Sequence, residues 1–543
     1  MNGVYFEPPA PGPASAPNRA DVALFAGFVH RRPGKLPTDV RDWLVERGWA
    51  PTLLPRRPGG TPEPAPPYAR PHLHIERLYQ LPIPVESWEA FARMFAWERR
   101  SLDVHGTKGM GYLAAAVRSF FAQGGRKCYV VRCGRPWRLS SDRAVRMARM
   151  DDLVPGYADG VPLSPSAPET WRGIAHVYGL PDVSYLCMPD LADLARPDPR
   201  APEPFSPPLP PREGWVECGP DPEPPGPDQA GRTFKAPRAD EAGFEAWARA
   251  VRLAARMVAE TSREVQVIAG IPLPRPEVVA GVSGRRVAAQ DDLLQFLLAA
   301  RYTDAGLQEP GFGIASAFVQ LAYPWVRTAG AAMLPEGLEP PEGVLAGILA
   351  RNALMRGSYR SAAGLEVGDV WDVHPGLSRD QLHRRQPYGQ DPAETRSLLE
   401  RVSVIGPTQA GLRLLSDVTS AEDESYRPAS VNRLLNALIR AARRQGEDSV
   451  FEPNGERLWA RLQGRLEDLM LDLLRDGALR GSNPSDAFQV RCDRTTMSQN
   501  DLDNGRVVAT LIFQPSAPVE RISVVLAGQA GGELNLVAGR EAV

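Results

Sequence analysis

A chain of 543 residues exceeds what one hydrophobic core can organise, so two or more domains are expected. With 63 basic against 65 acidic side chains and 43% hydrophobic residues, the composition is that of a soluble globular protein, and bulk charge gives no basis for nucleic-acid binding. No apolar run reaches the ~18 residues of a membrane span, and MNGVYFEPPAPGP at the N-terminus has no signal-peptide pattern.

Five cysteines, an odd number in a large chain, point to reduced thiols and a cytoplasmic setting. Cys128 and Cys133 fall on one strand with side chains on opposite faces, which suits neither a disulfide nor a metal. Proline is the anomaly at 55 residues. Its clusters at 7–17, 51–71 and 196–237 read as arms, insertions and linkers.

In chain order, Asp21–Val29 (DVALFAGFV) is a short apolar run with the character of a buried strand. Residues 38–80, rich in Pro and Arg, read as an insertion. Ser87 caps a helix that places Trp88, Phe91 and Phe95 on one face. A helix over about 110–123 buries Leu113, Val117, Phe120 and Phe121 and stops at Gly124-Gly125, and a strand follows from Cys128 to Val131. The middle then alternates: strand Val183–Met188, a helical stripe from Phe244 to Val258, strand Val265–Ala269, helix Asp292–Ala300, strand Ala315–Ala322. Such alternation predicts crossover units and a largely parallel sheet covered by helices. After residue 395 come a strand at Val402–Ile405 and a helix from Val431 to Arg444 closed by Gly446.

The C-terminal ninety residues are the most informative. A turn at Glu452–Gly455 leads into a helix over Glu456–Arg475. Its stripe of Trp459, Leu462, Leu466, Leu469, Met470 and Leu473 is core. Opposite lie Arg457, Arg461 and Arg465, then Asp468 and Asp472, all within about a quarter of the circumference. A solvated face is the plain reading. The layout nevertheless costs something within the helix, because Arg457–Arg461 and Arg461–Arg465 are like-charge i,i+4 pairs of about 0.2–0.5 kcal/mol each. The charge order also opposes the macrodipole, which suggests an external anionic partner. Strand, polar turn and strand follow, and then an apolar strand, Ile522, Val524 and Leu526 facing one way, on a leash with two prolines and with nothing after it to cover its edge.

Two stretches here, Phe451-Glu452-Pro453-Asn454 to Leu458-Trp459 and Cys492-Asp493-Arg494-Thr495-Thr496-Met497 to Asn500-Asp501, resemble the C-terminal domain of phage tail sheath proteins. GYLAAAVRSFFAQGGRKCYVVRC and the opening Gly3-Val4-Tyr5-Phe6 resemble the N-terminal region of the same family. Tyr185–Asp190, Tyr323-Pro324-Trp325 and Gly343–Gly347 resemble its central domain more loosely.

The resemblance implies a multi-domain fold of mixed α/β and α+β class. Segments 21–150 and 395–518 would build a discontinuous inner α+β domain, with 38–80 an insertion in it. Residues 155–394, including proline-rich 196–237, would form an inserted outer α/β domain. Residues 1–20 would be an extended arm and 519–543 a C-terminal arm strand.

By the same resemblance the chain is a structural subunit, with no catalytic residue, metal or cofactor, that stacks as hexameric rings around an inner tube and contracts to drive it forward. Its partners would be itself, the inner tube protein, and baseplate and terminal cap proteins, with no nucleic acid and no membrane insertion. It would assemble in the cytoplasm and travel in a phage virion or a released particle. Arg457, Arg461 and Arg465 would face acidic groups on the tube. Val4, Tyr5 and Phe6 at one end and Ile522, Val524 and Leu526 at the other would exchange strands between subunits.

Two departures, the large 38–80 and 196–237 segments and Arg356–Ala362 where the family tends to Trp and Pro, allow a specialised paralogue near the baseplate. The rival from another class is an enzyme using the α/β middle, with Asp190 after a strand as the acid to watch. A cap on the next turn, with Asp193 nearby, is the plainer role for Asp190. His72, His74 and His374 lack acidic support at metal-ligand spacing. Asp501-Leu502-Asp503-Asn504-Gly505 has Ile512 where a calcium loop needs Glu, so it reads as a turn into the strand from Val507. The sequence contains neither a phosphate loop nor a G-x-S-x-G elbow.

Overall fold

The computed structural model describes residues 20–49, 75–103, 105–158, 163–198, 234–275, 314–387, 395–447, 449 and 452–516, and the backbone of Ile522–Gly528 and Leu534–Val537. The expected strand Asp21–Val29 forms as β1 (Val22–Phe28), with all seven residues buried. A strand so uniformly apolar needs cover on both faces, and it lies inside a sheet. Parallel neighbours are β3 (Lys127–Gly134) on one side and β4 (Tyr185–Cys187) on the other. Parallel pairing continues through β5 (Gln266–Gly270) and β6 (Val319–Tyr323) to β7 (Ser403–Thr408). The edges are antiparallel, β2 (Pro82–Val85) beside β3 and β8 (Gly411–Leu414) beside β7. The order across the eight strands is therefore β8-β7-β6-β5-β4-β1-β3-β2.

This sheet corrects the expected division of the chain. Strands from within 155–394 are its centre, and strands from 22–134 and 403–414 complete it on either side. Residues 155–394 are thus not a separate α/β layer among the described residues. One continuous core runs from Val22 to Leu414, and a second from Val431 to Phe513.

Helices cover the large sheet much as the periodicity predicted. α2 (Trp88–Met94) is capped by Ser87, whose Oγ accepts from the Ala90 N–H at 3.1 Å. α3 (Tyr112–Ala122) ends at Gly124-Gly125, and α4 (Glu241–Thr261) carries the Phe244–Val258 stripe. α5 (Glu342–Arg356) crosses α3 in direct backbone contact. A Cβ at Gly343 would lie 2.3 Å from the Ala116 carbonyl oxygen, and one at Gly347 would lie 2.6 Å from that of Phe120. Only glycine fits at either crossing point.

The 38–80 segment is not all loop. It opens with α1 (Thr38–Glu46), whose Val40 and Leu44 join the large core. The predicted helix 292–300 lies outside the described residues.

The C-terminal unit is built on α6 (Ala429–Glu447) and α7 (Glu456–Arg475). α6 continues through Gly446, where an end was expected, because a single glycine costs only about 1 kcal/mol inside a helix held by packing. α7 packs on the antiparallel sheet β9 (Phe488–Arg491), β10 (Val507–Phe513), β11 (Ile522–Gly528) and β12 (Leu534–Val537). Alternation along β10 puts Ala509, Leu511 and Phe513 into the core under α7 and leaves Thr510 and Ile512 half-buried on the other face.

Candidate interaction surface

The helix Glu456–Arg475 forms with the bounds its sequence predicts. Trp459, Leu466, Leu469, Met470 and Leu473 are buried and Leu462 is half-buried, with Leu458 a further core residue not foreseen. Arg457, Arg461, Arg465, Asp468 and Asp472 are all exposed, so the structure brings the three arginines onto one open face. Arg461 pairs with Glu452 in the turn before the helix. Arg457 and Arg465 make no ion pair with any described residue. At the two ends Glu456 and Arg475 sit in the favourable sense of the dipole, whereas Arg457 in the first turn and Asp472 in the last, with Arg461, Arg465 and Asp468 between them, run against it.

The terminal strand Ile522–Gly528 pairs antiparallel with β10 of its own chain over the full register Val507↔Gly528 to Phe513↔Ile522. Its other edge is not bare, as the sequence suggested, because Leu534–Val537 adds outside it with Val525 opposite Val537. The position of Ile522, Val524 and Leu526 is therefore known as backbone in this sheet. Val4, Tyr5 and Phe6 lie outside the described residues.

Sequence reasoning missed how the two units are held together. The face of α6 turned away from the C-terminal core carries Arg433 and Arg440, seven residues apart, and both are buried. Arg433 grips both oxygens of buried Asp417, at 2.9 and 2.5 Å, and donates through Nε to the Ser358 carbonyl at 3.1 Å. Burial alone would raise the Asp417 carboxyl, but the Arg433 guanidinium outweighs it and holds Asp417 below the usual carboxylate range. Arg440 donates to Ser184 Oγ at 3.0 Å and to the Val183 carbonyl at 2.8 Å, at the entry to β4, and Arg443 pairs with Glu264. The i,i+7 spacing of Arg433 and Arg440 on the face opposite the apolar stripe of α6 was the available signal.

Asp190 is a structural acceptor, though not of its own turn. Its Oδ2 accepts the Phe28 N–H at 2.7 Å and its Oδ1 accepts the Leu113 N–H at 3.3 Å, in the first turn of α3. Burial pushes its carboxyl up to about 7. Asp193 beside it is consumed by Arg100 at 2.5 Å, with both side chains 1% exposed. Asp190 and Asp193 are thus tied to backbone and guanidinium groups. Asp501 likewise closes a capping box with Ser498, and the chain turns at Gly505 into β10. Among the described residues no three His, Cys, Asp or Glu side chains converge as metal ligands would, and no helix is long and apolar enough to cross a membrane.

No protein-family model and no curated protein matches the sequence. Solved structures do. A chain of the anti-feeding prophage (AFP) baseplate, solved by cryo-EM with 6-fold symmetrisation, is 17% identical, aligns over 96% of both chains and superposes with a TM-score of 0.52. A chain of the same baseplate in its contracted state is 14% identical over 96% of both chains, with a TM-score of 0.50. The contracted helical sheath of that particle aligns over 95% of this chain and 96% of its own at 18% identity, with a TM-score of 0.49. At such identities what is shared is the fold, and the chain has, over nearly its whole length, the fold of a subunit of the AFP baseplate.

Proposed function

We propose that this chain is the sheath subunit of a contractile, phage tail-like injection system. Copies stack as hexameric rings around an inner tube in an extended state, then rotate and repack into a shorter, wider one that drives the tube forward. The single observation that carries this reading is the pairing of a fold match over 96% of both chains with sheath-like motifs at both ends of the sequence. Energy would come from interfaces formed on contraction, in keeping with a sequence that has no phosphate loop.

In this reading the C-terminal unit faces the tube and the large α/β unit lies outside it. Arg457, Arg461 and Arg465 are exposed on α7 and would meet acidic groups of the tube protein. The edge of β10 that now holds Ile522–Gly528 could hold the same strand from a neighbour, through the same main-chain hydrogen bonds. Val4–Phe6 would supply the second exchanged arm. Truncation before Val519 tests exchange: a folded, soluble protein that no longer forms ordered tubes on sedimentation supports it, and normal polymerisation contradicts it.

A second reading, a sheath paralogue seated beside the baseplate, is favoured by two baseplate chains that match at TM-scores of 0.52 and 0.50. Particles purified with the protein tagged distinguish the two: label along the whole sheath supports the main subunit, and label at one end the paralogue.

A further inference from the structure

A cavity of about 230 Å³ opens beside the last turns of α6. Arg440, Arg443, Arg444 and Glu447 of that helix line it, with Arg47 from just past α1 and Asp182 with Tyr129 beneath. Some of this charge is already answered. Asp182 accepts from Lys127 Nζ at 2.7 Å and from the Tyr129 hydroxyl at 3.0 Å, and Arg443 is paired with Glu264. Arg47 and Arg444 are exposed and form no ion pair with any described residue. The helix dipole favours arginines in the final turn of α6, but it gives no reason for Arg47, from a different element, to point into the same space.

The complementary charge sits at the other end of the same helix. Glu422, Asp423 and Glu424 are three consecutive exposed acids just before α6. Glu424 pairs with Arg427 at 3.4 Å and Asp423 accepts the Ser425 N–H at 2.8 Å, whereas Glu422 forms no ion pair among the described residues. The intervening helix, Ala429–Glu447, spans roughly 28 Å at 1.5 Å per residue, so acid loop and basic cavity cannot meet within one chain.

We infer that the basic cavity receives the acidic loop 422–424 of a second copy, in a head-to-tail contact. Such a contact uses two different patches on each copy, so it propagates from chain to chain and closes into a ring or continues as a helix. It would act independently of strand exchange and would set register and encounter rate through charge complementarity. The inference rests on the polymer proposed above, but its first test does not.

That test is binding of a labelled synthetic peptide carrying residues 418–428 to the full-length chain, followed by fluorescence anisotropy. Saturable binding that weakens at least about tenfold in R47E/R444E is expected. Absence of binding, or equal binding by the variant, overturns the inference. The second test is assembly. R47E/R444E, with its melting temperature unchanged, should need a higher concentration to polymerise, and adding E422R/D423R in the same chain should restore assembly. A wild-type chain that polymerises alongside an unaffected R47E/R444E, or a loss that the charge swap does not restore, contradicts the inference and leaves the sheath reading standing. Failure of the wild-type chain to polymerise under any condition counts against the sheath reading, while the peptide result decides the cavity.

Discussion

The two units of this chain are stabilised in different ways. The large unit pairs strands distant in sequence into a parallel sheet buried on both faces and places the ion pair Arg100–Asp193 inside it, while Arg433–Asp417 is buried where α6 joins it. The C-terminal unit is local and antiparallel, with one sheet face packed under α7 and the other half open. Its side-chain link to the large unit runs mainly through α6, one face in each, with Tyr359 adding a bond to the Asp476 carbonyl at 2.6 Å. The contrast suggests a large, deeply buried unit bearing a smaller one whose outer sheet face is only half-buried among the described residues, the two coupled by a few buried guanidinium contacts.

The largest expected effect breaks that coupling. Asp417→Ala leaves Arg433 buried without its counter-ion and should cost about 3–5 kcal/mol in urea denaturation. Loss confined to under about 1 kcal/mol would show that α6 is held by apolar packing alone. Gly343→Ala attacks the large unit only. With its Cβ 2.3 Å from a backbone oxygen, it should cost about 1–3 kcal/mol and leave α7 and its sheet intact by amide exchange.

A pH experiment separates the units more finely. Burial pushes the Glu342 carboxyl up to about 8 even though it accepts the Gly270 N–H at 2.7 Å, so the folded state favours the neutral acid. The unfolded chain ionises near 4.5, and stability is therefore lost as pH rises from there through 8. Glu342→Gln keeps the acceptor and removes the titration. It should match the parent at about pH 4 and exceed it by on the order of 1–2 kcal/mol at about pH 9, as read by thermal melts.

The smallest stability effect falls on the open face of the C-terminal unit. Changing Arg457, Arg461 and Arg465 together to Gln removes two repulsive pairs, about 0.2–0.5 kcal/mol each, and with them the exposed Arg461–Glu452 ion pair of similar worth, so the stability of the subunit should stay nearly unchanged. Co-assembly with the tube protein should nevertheless weaken. Unchanged co-assembly across a range of salt would return these arginines to an ordinary solvated face. Replacing residues 199–233 with a short Gly/Ser linker should also preserve assembly, because the flanking Arg196 and Arg238 are already anchored to Asp193 and Glu336.

Much of this architecture was legible in the sequence wherever it depends on local patterning. DVALFAGFV, the Gly-Gly stop after α3 and the unbroken period of α7 each specify an element by composition alone. Sheet order was not legible, because the neighbours of β1 are chosen by packing between segments more than a hundred residues apart, and the separate 155–394 domain rests on the family resemblance and not on any pattern in the residues. The α3–α5 crossing hides in two glycines whose need shows only against Ala116 and Phe120. At the candidate surface, the exposed arginines of α7 followed from helical spacing, whereas the clamp residues Arg433 and Arg440 did not, because Asp417 and Ser184 gain meaning only once they are opposite.

The central claim, a subunit that polymerises around a tube, is tested most directly by negative-stain microscopy of the purified chain with and without the inner tube protein of its own gene neighbourhood. Rings or tubes of six-fold symmetry are expected, longer and more regular when the tube is present. Monodisperse particles under both conditions would contradict it.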